Sequence, residues 1–236
     1  MEYGKPTRTG VRMLAYAIGL ALLGAVSLGA AASAQPDGNG DEGEERVARD
    51  VREYVVGPPS NFPEGVVYDE RTRAFYGGSA VDGTLYKATL DDTEGAEVFL
   101  LSAVPDGRAE ALGVNVDREG RLYVSGGGSG RLLVYDIETR EQVAEFRTGP
   151  GGYINDVDIT KKGDVYFTDS FRPFMYRATE EQVESGGGAP EAIPLSPEVS
   201  YTPVGSSSAK PFNGNGVRET PDGKHIIFAD LNDAKL

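Results

Sequence analysis

From Tyr54 onward, apolar and polar residues alternate in short runs broken by Gly, Asp and Pro, with no long stretch of helical period. This pattern predicts an all-β fold. Four segments repeat one another: PEGVVYDERTRAFYGGS (63–79), ALGVNVDREGRLYVSGG (111–127), INDVDITKKGDVYFTDS (154–170) and GNGVRETPDGKHIIFAD (214–230). Each has a small-residue start, a strand, a turn with charged residues or Gly, and a second strand rich in aromatic or branched residues. The turn glycines of the last three align as Gly120, Gly163 and Gly223, while the first turn is one residue longer.

Further strands follow each hairpin: GTLYKATL and AEVFLL, then RLLVYDIE and QVAEFRTG, then PFMYRATE. A unit of about four short strands, recurring every 43 to 60 residues or so, predicts the blades of a β-propeller. One small twisted sheet cannot bury both its faces, whereas sheets stacked radially bury one another. About three and a half blades are expected over residues 54–236, a propeller incomplete at its C-terminus. REYVV, before the first blade, has the character of a strand that completes a last blade. Residues 184–213 are dominated by Gly, Ser and Pro and predict a long loop interrupting the third unit. Tyr76, Tyr123, Tyr166 and Phe228 recur on second strands and are expected to pack the core.

The N-terminus follows other rules. Lys5, Arg8 and Arg12 precede an apolar run from Met13 to Leu28, and Ala32-Ser33-Ala34 supplies a small-residue cleavage pattern. Residues 1–34 therefore read as a secretory signal peptide, a retained anchor being the rival. Residues 35–53 read as an acidic, flexible spacer. Cleavage would remove three basic residues and one acid, taking the net charge from −14 to about −16. Such a charge argues for solubility outside the cell and against nucleic acid or anionic lipid as partners. The expected location is secreted or periplasmic, with no membrane span after cleavage. The absence of cysteine excludes disulfides, thiol nucleophiles and thiolate zinc sites, and the single histidine, His225, excludes multi-imidazole metal centres.

The candidate chemistry lies in one repeated slot. Five residues before each hairpin turn stand Glu64, Leu112, Asn155 and Asn215. In a propeller this slot begins the innermost strand, at one mouth of the central channel. Oxygen ligands from Glu64, Asn155 and Asn215 would suit Ca2+, or Mg2+ or Mn2+ with stricter geometry. The same residues are also ordinary turn and strand-start chemistry, and spacing alone leaves both readings open. Ser125–Gly130 is a glycine-rich loop, but it joins two strands and so lacks the helix N-terminus that a phosphate cradle needs. His225 has no evident partner, and no G-x-S-x-G elbow is present.

The phrases FPEGVVYDE, YINDVDITKKGDVYFTDS and NGNGVRETPDGKHIIFAD, in this order, resemble the senescence-marker-protein/gluconolactonase/luciferin-regenerating-enzyme family over about residues 60–236. They are also similar to paraoxonases and strictosidine-synthase-like proteins. The resemblance implies a six-bladed propeller with a divalent metal, usually Ca2+, at the channel mouth, and hydrolysis of lactones. Mn2+, Mg2+ or Zn2+ are the alternative ions. The family's metal-binding Glu falls on Glu64 and its two Asn on Asn155 and Asn215. The family's catalytic Asp would lie beyond residue 236. A substrate-contacting Arg of the family is Tyr153 here, so a sugar-acid lactone does not follow; Tyr153 and Asp156 are the substrate-side candidates. The expected activity is a secreted, metal-dependent lactone or ester hydrolase. The alternatives are a non-catalytic propeller that binds protein or glycan, and a strictosidine-synthase-like activity.

Overall fold

The computed structural model describes residues 53–92, 95–101, 107–203, 213–232 and 234–236. The expected signal peptide and nearly all of the spacer lie outside these, as does Arg52 of REYVV. Four sheets follow one another along the chain, antiparallel but for one short parallel pair at the edge of the second. The first holds β1 (Pro63–Asp69), β2 (Ala74–Ser79), β3 (Leu85–Thr89) and β4 (Glu97–Leu100), in that order. The second holds β5 (Val114–Val116), β6 (Arg121–Ser125), β7 (Arg131–Asp136) and β8 (Gln142–Arg147), likewise in chain order. In the third, β9 (Ile154–Ile159), β10 (Val165–Asp169) and β11 (Phe174–Ala178) are completed by β13 (Glu191–Pro194). The fourth is the hairpin of β14 (Gly214–Glu219) and β15 (Ile226–Asp230). Three four-stranded meanders and a half are the blades that the repeat predicts.

Burial follows from alternation along the middle sheet. On β6 and β7, Leu122, Val124, Leu133 and Tyr135 join a core with Tyr76, Leu85 and Phe99 of the first sheet. The intervening Tyr123, Leu132 and Val134, with Phe146, join a core with Val157, Phe167 and Tyr176 of the third. Adjacent residues of one strand thus feed opposite cores, so the strand reads as a nearly unbroken apolar run. Each fully buried aliphatic or aromatic side chain contributes about 1.5–3 kcal/mol. The outermost faces are different. Val66 is 70% exposed on β1 and Ile227 is 42% exposed on β15, because no further sheet lies against them in the chain described.

Four expectations change in detail. Residues 184–213 are not all loop. Thr179 caps a one-turn helix α1 (Glu180–Glu184) through a reciprocal box with Gln182. The chain then pairs β12 (Gly187–Gly188) along β8 and supplies β13. Residues 204–212 of that stretch lie outside the described ones. Tyr76 and Tyr123 are core residues, but Tyr166 and Phe228 are only half-buried. They sit on the third and fourth sheets, and the two-stranded fourth sheet offers little cover. Phe167 is the buried aromatic of β10. Residues 53–56 form no strand; Val55 accepts a bond from the Ala96 amide (2.8 Å), and the Tyr54 ring packs edge-on against Phe75 (4.8 Å). His225 precedes β15 rather than lying on it, exposed and tied through its backbone to Thr220.

Candidate functional site

The repeated slot coincides with a repeated distortion. Pairing shifts register between Pro63 and Val66 in the first blade, opposite Phe167–Asp169 in the third, and between Gly214 and Val217 in the fourth. In the second, Leu112 donates to the Ser125 carbonyl (2.9 Å) and Ser125 back to Gly113 (2.9 Å), again setting two residues against one. A β-bulge re-aims the side chain it carries. Glu64, Leu112, Asn155 and Asn215 all sit in these bulges.

The residue after the slot governs how closely the inner strands approach. A Cβ on Gly65 would lie 2.5 Å from the Leu112 carbonyl oxygen, and one on Gly113 would lie 2.4 Å from Asp156 Oδ1. Glycine is what lets neighbouring blades meet there. The third blade places Asp156 at this position. Its Oδ2 accepts the Val217 amide of the next blade (3.0 Å), and Arg218 Nη1 lies 3.5 Å from the same oxygen. Asp156 thus ties two blades together at the mouth while leaving its charge there.

Asn155 is buried and fixed in orientation. Its Nδ2 donates to Ser170 Oγ (3.0 Å), which in turn donates to the Gly214 carbonyl (2.6 Å). This arrangement leaves Asn155 Oδ1 as the end free to bind a cation. Asn215 is half-buried; its Oδ1 accepts the Gly216 amide (2.9 Å) and retains a second lone pair. Its carbonyl accepts the Thr168 hydroxyl (2.5 Å), and the same hydroxyl accepts the Asp156 amide (3.2 Å). Glu64 reaches solvent, yet the protein around it raises its carboxyl pKa above the usual carboxylate range, and the Asp156 charge raises it further. Two carboxylates thus repel at one mouth, beside two oriented amides. Among the described residues, no three His, Cys, Asp or Glu side chains converge, so any cation here would rely on the amides. The donor set is all oxygen and fits a hard divalent ion.

A second slot, two residues earlier, went unrecognised except at Tyr153. It holds Phe62, Glu110, Tyr153 and Asn213. Tyr153 donates its hydroxyl to Glu110 Oε1 (2.8 Å), while Glu110 Oε2 accepts the Gly128 amide (2.7 Å). The Tyr153 ring lies 4.7 Å from that of Phe171. Burial holds the Tyr153 hydroxyl firmly protonated, with the charges of Glu110 and Glu64 adding to the effect. Glu110 was legible only as a member of this slot. Its partner across the blade boundary was not.

No protein-family model matches the chain, and no curated protein matches it. Solved structures do. Virginiamycin B lyase from Staphylococcus aureus is similar over 77% of this chain and 53% of its own, with a TM-score of 0.55 and 11% identity. The WD40 β-propeller domain of Doa1 is similar over 72% and 48%, with a TM-score of 0.52 and 13% identity. Kuenenia stuttgartiensis hydrazine synthase is similar over 78% and 50%, with a TM-score of 0.52 and 12% identity. At such identities the likeness shows the fold alone: this chain is propeller-built, and it spans about half the length of the structures it matches.

Proposed function

We propose that this chain belongs to a secreted, divalent-metal-dependent hydrolase of lactones or esters, with Glu64, Asn155 and Asn215 holding the ion at the channel mouth. The observation that carries the proposal is the repeated bulge. It brings a carboxylate and two amides to the same end of the inner strands, with one amide locked by Ser170 so that its oxygen is free. The like charges of Glu64 and Asp156 supply a reason for a cation, since a positive ion between them replaces repulsion with attraction. Ca2+ suits such a flexible oxygen set best, ahead of Mg2+, Mn2+ or Zn2+. When bound, such an ion polarises a carbonyl and lowers the pKa of a bound water.

The chain's own residues would then divide the remaining work. Ser170 orients the Asn155 amide, Thr168 anchors the backbone of Asn215, and Tyr153 forms the substrate side of the mouth. The test is thermal unfolding of the chain from residue 35 with excess Ca2+ and again with a chelator, followed by a lactone screen. Ligand at a hundred times its Kd stabilises the native state by about 2.7 kcal/mol. Asn155→Ala should abolish the Ca2+-dependent shift; a variant that keeps full affinity would refute the ligand assignment.

A second reading is a binding module without catalysis. It is favoured by the exposed Phe62 (65%) beside Glu64. Unchanged melting in Ca2+ and chelator, with no lactone turned over, would select it.

A further inference from the structure

We infer that Asn215 is a site of self-modification, at which the Gly216 amide nitrogen displaces the side-chain amide and leaves a carboxylate at the mouth. The run NGNG (213–216) holds two Asn-Gly pairs, and the fold treats them oppositely. Asn213 is buried and tied at both ends of its amide. Its Oδ1 accepts the Thr202 amide (2.7 Å), while its Nδ2 donates to the carbonyls of Ser170 (2.8 Å) and Thr202 (3.1 Å). Asn215 is half-buried, and its Oδ1 accepts the Gly216 amide (2.9 Å). That bond sets Cγ, one atom from Oδ1, beside the nitrogen that attacks it. The bulge between Gly214 and Val217 takes both residues out of register with β15, and glycine adds no Cβ to shield the nitrogen. Elsewhere the same slot is guarded. The Gly113 amide donates to the Asn155 carbonyl (2.8 Å), and the Asp156 amide, which follows Asn155, donates to the Thr168 hydroxyl (3.2 Å).

The reaction needs only water and involves no oxidation or reduction. Solvent base removes the Gly216 amide proton, and a bond forms from that nitrogen to Asn215 Cγ. The Cγ–Nδ2 bond then breaks, and ammonia leaves with a proton taken from water. A second water opens the resulting cyclic imide at either carbonyl, giving aspartate or the isomer in which the main chain runs through the side chain. As the amide proton leaves, negative charge gathers on the Asn215 carbonyl oxygen, where the Thr168 hydroxyl already donates (2.5 Å). The chemistry requires no ion, but its consequence for one rests on the reading of Asn215 as a ligand given above. A carboxylate in place of that amide doubles the formal charge that the three ligands offer a cation.

In the test, the protein is held for days in mildly alkaline buffer with chelator, and residues 213–216 are followed by peptide mass spectrometry. The spectra read the exchange of an amino group for a hydroxyl and separate the two isomers. Asn215 should convert at least about tenfold faster than Asn213 in the native protein, whereas in urea the two should convert at comparable rates. Among the described residues, a Cβ on Gly216 would meet only Asp156 Oδ2, at 3.7 Å, so Gly216→Ala should keep the fold, as its melting curve would confirm. That variant should slow conversion of Asn215 about tenfold. An intact Asn215, equal native rates at the two residues, the same preference in urea, or conversion indifferent to Gly216→Ala would each overturn the inference. Asn215→Asp should bind Ca2+ about tenfold more tightly than wild type. If Asn215 converts while Asn215→Asp and Asn215→Ala both bind Ca2+ as wild type does, the inference stands and the ligand reading fails. An Asn215 that persists, in a protein whose Ca2+ affinity falls on Asn215→Ala, would do the reverse.

Discussion

Two hydroxyls in equivalent places should respond oppositely to removal. Thr168 on β10 and Ser125 on β6 occupy the same position of successive blades, and both are essentially buried, at 1% and 0% exposure. The Thr168 hydroxyl donates to the Asn215 carbonyl of the next blade and accepts the Asp156 amide. The Ser125 hydroxyl has no partner. Thr168→Val keeps the shape and removes both bonds, stranding a carbonyl and an amide at the blade boundary. Leaving a buried polar group unpaired costs about 1–3 kcal/mol, so the loss is about 2–4 kcal/mol for the two groups, one of which water can partly reach. At about 2–4 °C per kcal/mol for a domain of this size, Tm should fall by about 4–16 °C. Ser125→Ala removes an unsatisfied group and should leave Tm unchanged or raise it slightly. Urea unfolding of the three proteins, with equal slopes, separates stability from altered compactness. A Thr168→Val midpoint equal to wild type, or a Ser125→Ala loss as large as that of Thr168→Val, would refute this account of the blade boundary.

Other outcomes follow from the same geometry. Phe167→Ala empties a fully buried site beside Tyr176 and Phe146 and should cost about 3–5 kcal/mol, read by urea unfolding. Asp169 accepts the amides of Tyr153, Phe171 and Arg172 and pairs with Arg172 Nε, all while fully buried. Asp169→Ala should therefore cost about 3–5 kcal/mol, read by the same unfolding measurement. Because Glu64 has a raised pKa in the folded state, its contribution to stability is full below the ordinary carboxylate pKa. That contribution is lost as pH rises through the raised value. In chelator, wild type should lose more stability over that window than Glu64→Gln, which keeps the like contribution of buried Asp158; Ca2+ affinity should rise over the same window in wild type. A pH profile identical in the two proteins would contradict the assignment.

The blades were legible because the residues that make them repeat. Turn glycines, alternating strands and the slot of Glu64, Leu112, Asn155 and Asn215 all recur with a common spacing, and the sheets form where that spacing puts them. Two features escaped. β13, the short run EAIP, is flanked by Gly and Pro, and only its pairing with β11 makes it a strand. Tyr166 has the same pattern as Tyr123 but less cover, since burial depends on the neighbouring sheet and not on the strand itself. At the site, the slot predicted which side chains share a mouth. It did not predict that Asp156 bonds forward to Val217, that Ser170 orients Asn155, or that Glu110 reaches Tyr153. The first and third cross a blade boundary, and the second depends on the tie of Ser170 to Gly214 across one; sequence spacing carries no register there.

The middle blade is covered on both faces by full sheets, the first blade on one, and the third is covered on its far side only by the two-stranded fourth sheet. In a stack where each unit touches only the next, local opening is graded by position rather than all-or-none. Amide hydrogens of β6 and β7 should accordingly exchange slowest, those of β1 and β15 fastest. The mouth would then span a gradient of rigidity, with Asn155 held near the stiff centre and Glu64 and Asn215 riding on strands that breathe. An ion bridging all three would act as a clasp between the loose ends, damping motion at both.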